Sequence, residues 1–137
     1  MPTTRAFNIA QISRHVAYIE ANNTIVSDLE IQSTNRGVGT ATIEGTTVGD
    51  VHTFVLATYR AARYIITATN GTDYHTSHVV LQHDGTNVEV VQFASFFDNA
   101  ELAAYSADIS GSDVRLRATP ANAGTNTFKF NVELISS

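Results

Sequence analysis

The chain has 137 residues, 43% of them hydrophobic but only 15% charged, with a formal net charge of −5 and no cysteine. A single domain of this length buries roughly two thirds of the surface its unfolded chain exposes. The acidic balance argues against a phosphate-binding footprint and so against nucleic acid as a partner, and the lack of cysteine excludes disulfides, thiolate metal sites and Cys catalysis. No apolar run is long enough to cross a bilayer, and the first fifteen residues have neither the apolar core nor the cleavage site of a secretory leader, so no membrane partner is expected. Thr, Ser, Asn and Gly supply the solubility that charges usually provide. Such a surface suits broad polar contact with neighbouring copies better than electrostatic recognition.

Ile9, Ile12, Val16 and Ile19 are spaced three, four and three apart, which places them on one side of a helix that Asn22-Asn23 would stop. This segment is expected as a helix or arm. Its apolar side either lies on the rest of the domain or packs against another subunit. Residues 1–24 are assigned to docking or oligomer contacts, with Ile9, Ile12, Val16 and Ile19 as the subunit or particle contact, and residues 25–137 to a β-sandwich.

Ile25 to Ile31 (IVSDLEI) reads as a strand, with Leu29 and Ile31 alternating against Asp28 and Glu30. Asn35 to Gly39 (NRGVG) reads as loop or hairpin. Ala41 and Ile43 alternate with Thr40, Thr42 and Glu44 in a half-buried strand, and Val51 to Thr58 is apolar enough for a core strand. Tyr59 to Arg63 interrupts the β pattern and is read as a crossing between sheets or a bulge. From Tyr64 the pattern resumes, with Tyr64, Ile66 and Ala68 on one face and Arg63, Ile65 and Thr67 on the other, and Asn70-Gly71 ends it.

His78 to His83 and Val88 to Phe93 flank Asp84-Gly85, a strong short-range hairpin signal. Leu102 to Asp108 is a weaker strand, and Ser110 to Asp113 a turn. Val114, Leu116 and Ala118 face away from Arg115 and Arg117 in a strand that Pro120 closes. After the loop Ala121 to Asn126, Phe128, Phe130, Val132 and Leu134 alternate with Thr127, Lys129, Asn131 and Glu133. Strict alternation means one wet and one buried face, and short strands with frequent turns indicate an all-β fold, an antiparallel β-sandwich of jelly-roll-like or Ig-like type.

Candidate chemistry is sparse. His75, His78 and His83 cluster in sequence, but His75 and His78 face opposite sides of a strand and cannot converge on one metal ion. His83 shares a face with Val79 and Leu81 and is expected to be packed. No G-x-S-x-G elbow occurs, no carboxylate pair stands out for glycoside hydrolysis, and Gly37-Val38-Gly39 lacks the Lys and helix of a phosphate loop. No catalytic residue, metal or cofactor is therefore assigned. Tyr59, Tyr64, Tyr74, Phe93, Phe96, Phe97 and Tyr105 either form an exposed stripe that stacks on sugars or belong to the core.

The segments YRAARYII (59–66), HDGT (83–86), DISGSDVRL (108–116), Thr119-Pro120 and Phe128-Lys129 stand in an order that resembles a domain of tailed-phage virion structural proteins, particularly of cyanobacterial and marine phages. The resemblance covers more than half the chain and leaves out the residues before Val48. It implies a non-enzymatic virion subunit that decorates or cements the capsid or belongs to the neck, tail or fibre. Its partners would be further copies and other virion proteins, the major capsid or tail proteins among them. The alternative is a carbohydrate-binding module that adheres to a host glycan.

Overall fold

The computed structural model describes residues 28–31 and 34–137. Nine strands fill this region: β1 (Asp28–Ile31), β2 (Thr34–Glu44), β3 (Gly49–Val55), β4 (Tyr59–Asn70), β5 (Asp73–His83), β6 (Val88–Phe97), β7 (Ala103–Ser110), β8 (Asp113–Pro120) and β9 (Thr125–Ser136). They form a six-stranded sheet in the order β1-β2-β9-β4-β5-β6 and a three-stranded sheet in the order β3-β8-β7, antiparallel throughout. The protein is thus an all-β sandwich, and no helix occurs among the described residues. Ile9, Ile12, Val16 and Ile19, the residues expected to make subunit or particle contacts, lie outside those residues, as does the start of the strand expected from Ile25.

The alternating strands bury the faces their period dictates. Phe128, Phe130, Val132 and Leu134 of β9, Tyr64, Ile66 and Ala68 of β4, and Val114, Leu116 and Ala118 of β8 all enter one core. The last strand in sequence sits near the middle of the large sheet, between β2 and β4. Its inward side chains are therefore enclosed on both flanks as well as from above. Aromatic contacts join the layers: His52 of β3 meets Phe130 and Tyr64, and Tyr105 of β7 stands edge-on to Phe128.

Three expectations are corrected. Asn35 to Gly39 is not a loop but part of β2, whose first residues form one arm of a hairpin with β1, and Gly39 serves close packing, with the Phe130 ring directly over it. The apolar run from Val51 stops as a strand at Val55, and only Val51 and Phe54 of it are fully buried. A bulge between Asp50 and His52 resets the alternation there. Tyr59 to Arg63 does not interrupt the β pattern, since β4 begins at Tyr59. The chain changes sheet one step earlier, in the turn over residues 56–58, where the Thr58 amide donates to the Val55 carbonyl. A bulge does follow, between Tyr59 and Ala61 against β9.

The ends of the sandwich are held by side chains of the turns. Asp84 accepts hydrogen bonds at Oδ1 from the amides of Thr86 and Asn87, with Gly85 at φ 101° between them, and so shapes the β5–β6 hairpin. At the opposite end Asn126 is buried. Its amide nitrogen lies 3.0–3.3 Å from the carbonyls of Ile43, Gly45, Asn122 and Gly124, and its Oδ1 accepts from Asn70. One side chain thereby ties three connections together.

Candidate functional site

The histidines separate as their strand parity requires. His75 and His83 point into the sandwich at opposite ends of β5, while His78 faces out against Phe93. His83 is packed as expected; its Nε2 donates to the Tyr59 carbonyl at 2.6 Å, and its Nδ1 accepts from the Gly85 amide. No three His, Asp or Glu side chains converge among the described residues.

His75 has a partner that sequence reasoning did not single out. β6 carries a bulge opposite Ser77, with Ala94 at φ 48°, and the bulge brings Ser95 Oγ to 2.5 Å from His75 Nε2. A Ser–His contact suggests an activated nucleophile, but the proton is on the wrong nitrogen. The Leu102 amide donates to Nδ1, so Nδ1 carries the lone pair and Nε2 carries the hydrogen that it gives to Ser95. That imidazole cannot take the serine proton, and a backbone amide occupies the place where a triad has its carboxylate. Burial also lowers the His75 pKa, which keeps the ring neutral. The pair locks the β6–β7 connection onto β5. No local pattern announces it, because it depends on a bulge between distant residues.

A cleft of about 810 Å³ opens between the β5–β6 hairpin and β7, lined by Arg60, Gln82, Asp84, Asn87, Glu89 and Asp108 among others. Most of these groups are already engaged in the fold. Arg60 donates to the His83 carbonyl, and Asp84 holds the hairpin turn; the amides of Asn87 and Thr86 draw its pKa down to about 2. Asp108 takes two hydrogen bonds from Arg115, which lower its pKa, and belongs to a row of alternating charge with Asp50 and Arg117 across the small sheet.

The outer face of the large sheet is different. The aromatic residues divide: Tyr64 is buried, and Tyr59 and Tyr105 pack against the core, whereas Tyr74, Phe93, Phe96 and Phe97 are exposed. Phe97 lies opposite inward-facing His75 and stands edge-on to it, while strand register gathers Tyr74, Phe93 and Phe96 on the outer face with further apolar side chains. Ile65 is opposite His78, and His78 opposite Phe93; Val80 is opposite Val91; Thr76 is opposite Phe96. Phe96 is 74% exposed, Val91 60% and Phe93 46%. Charges border the patch rather than enter it: Arg63, paired with Glu133, and Lys129 beside Ile65, Glu89 beyond Val91, and Asp98 at the Tyr74 amide. Exposed apolar area of this continuity marks contact surface in a folded protein.

No protein-family model matches the chain, and no curated protein does. Solved structures do. The tailspike protein of Acinetobacter baumannii phage AM24 superposes with a TM-score of 0.52 at 7% identity, over 80% of this chain and 28% of that one. The tailspike gp49 of Acinetobacter baumannii bacteriophage Fri1, described as a capsular polysaccharide depolymerase, superposes with a TM-score of 0.50 at 13% identity, over 87% of this chain and 23% of that one. The chain therefore shares its fold with a part of these tailspikes, and spans about a quarter of their length.

Proposed function

We propose that this chain is a non-enzymatic structural module of a tailed-phage virion, belonging to the tail apparatus rather than to the capsid shell. The observation that carries the reading is the sandwich itself, whose fold recurs within two phage tailspikes. The ordered motifs from Tyr59 to Phe128 point the same way by resemblance. The organisation of the polar groups supports a structural role. The Ser95–His75 pair is protonated against nucleophilic chemistry, and two carboxylates of the cleft, Asp84 and Asp108, are spent on turn and ion-pair contacts. In this reading the partners are further copies of the chain and other virion proteins.

Quantitative mass spectrometry of purified particles tests it. A tail component is expected at single-digit or low double-digit copies per particle. Hundreds of copies would return the chain to the capsid surface, and absence from particles would end the structural reading.

A second reading, a host-glycan-binding module, is favoured by the exposed Tyr74, Phe93 and Phe96 and by the description of one structural neighbour as a capsular polysaccharide depolymerase. Its measurement is affinity for capsular polysaccharide fragments, with Phe96→Ala expected to weaken binding at least tenfold if the aromatic patch is the platform.

A further inference from the structure

We propose that the outer face of the six-stranded sheet carries a cationic groove, crossing the strands, that binds a linear polysaccharide bearing carboxylate groups. The inference rests on the glycan reading above and names the class of glycan and its course over the sheet. Strand register arranges the outward side chains in rows. Val38, Asn131, Ile65, His78 and Phe93 succeed one another from β2 through β9, β4 and β5 to β6. Arg36, Glu133 and Arg63 form the row on one side of them, and Thr40, Lys129, Thr67 and Thr76 the row on the other. Two hollows flank the middle row and share Ile65 and Asn131. One, of about 400 Å³, lies against Thr40, Lys129 and Thr67, and the other, of about 170 Å³, lies against Arg63 and Glu133 and reaches His78. Together they lead from β2 towards the exposed ring of Phe93 on β6, four inter-strand steps or about 19 Å.

Charge selects the ligand. Arg36 and Arg63 share a single carboxylate, Glu133, at 3.1 and 2.9 Å, and Lys129 forms no ion pair among the described residues. Glu133 is also the only carboxylate among the described residues that line the two hollows. The groove therefore carries an excess of positive charge in a chain whose net charge is −5. A polymer with repeated carboxylates meets Lys129 and both arginines at once, so that individually weak exposed pairs act together.

The groups around those charges favour a sugar over an acidic peptide. β2, β9, β4 and β5 are each paired on both sides, so a peptide laid across them finds no ladder to extend. Hydroxyl and amide side chains stand there instead, at Thr40, Thr67, Thr76 and Asn131. Thr67 and Thr76 bond to each other at 2.9 Å, which leaves one hydroxyl hydrogen and spare lone pairs for a ligand. Phe93 and Phe96 add exposed rings at the far end on which a sugar can stack.

Calorimetry on the full-length chain tests this with polygalacturonate and hyaluronan, each compared with its carboxyl-reduced form. An acidic polymer should bind roughly fivefold or more tightly than its reduced form, and the advantage should shrink as salt is added. Lys129→Glu should abolish that advantage. Glu133→Gln should enlarge it, because it frees both arginines, and a purely structural role for the ion pair would not produce that gain. Both side chains lie on the outer face, so circular dichroism should show the sheet intact in each variant. No affinity for either acidic polymer would overturn the proposal, as would a Lys129→Glu protein that binds like the parent. Equal affinity for acidic and reduced forms, lost in Phe96→Ala, would overturn the acidic ligand and leave the glycan reading standing. Polyglutamate that binds as tightly as the acidic polysaccharides would also overturn it, and would assign the groove to an acidic protein surface. Affinity for capsular fragments remains the separate measurement of the glycan reading, so the two can fail independently.

Discussion

Phe130 lies with the edge of its ring over Gly39 of the neighbouring strand, so close that a Cβ at Gly39 would overlap Cζ and come within 3.0 Å of Cε1 and Cε2. The two residues are register partners on β2 and β9. The glycine is a packing device: it lets an aromatic side chain fold flat against the sheet beside Tyr64 and His52. Gly39→Ala should therefore destabilise the domain by about 1–3 kcal/mol, the usual cost of overpacking. Thr40→Ala, on the exposed side of the same strand, should stay within about ±0.5 kcal/mol. Chemical denaturation measures both, and equal effects would mean the ring has room to move aside.

Asn126 offers a sharper test, because Asn126→Asp changes almost no volume. It removes the two amide hydrogens shared among the carbonyls of Ile43, Gly45, Asn122 and Gly124 and sets a carboxylate against them in a buried site. We expect a loss of about 3 kcal/mol or more at neutral pH, from unsatisfied carbonyls together with a charge that burial disfavours. The loss should shrink on acidification as the new carboxyl takes up a proton. A melting temperature near that of the parent would show that water replaces the amide.

His75 should make stability depend on pH. Burial lowers its pKa, so the folded state binds this proton less readily than the unfolded chain does. Its contribution is then complete above the unfolded value near 6.5 and is lost as the pH falls below it towards the lowered folded value. Denaturation midpoints at pH 8 and pH 5 should differ in the parent, and the difference should diminish in His75→Gln. Protonation would also cost the Leu102 hydrogen bond, so amide exchange at Leu102 should accelerate on acidification. A slope that survives the substitution would assign it to another group.

The Asp84 hairpin titrates lower. Hydrogen bonds from the Asn87 and Thr86 amides hold its carboxyl at about 2, so its support for the turn is present above the unfolded value of 3.8 and is lost as the pH falls through about 2. Asp84→Ala should lower stability at pH 7, and its deficit should narrow below pH 3. Gly85→Val should be harmful at any pH, since φ 101° strains a β-branched residue. A Gly85→Val protein that melts like the parent would remove this turn geometry.

What the sequence determined by itself was whatever depends on neighbours along the chain. The alternation from Thr127 to Leu134 reported which side chains are buried, and Asp84-Gly85 marked a turn, because strand parity and backbone φ are local properties. Tertiary structure decided the rest. Gly37 and Gly39 have the composition of a loop, yet they lie inside β2, and at Gly39 it is Phe130, more than ninety residues away, that needs the space. Ser95 meets His75 through a bulge that no spacing foretells. The aromatic residues could not be sorted from sequence into core and surface. The same period-two pattern places Tyr64 inward and Phe93 outward, and only the assignment of strands to two sheets distinguishes the covered face from the open one.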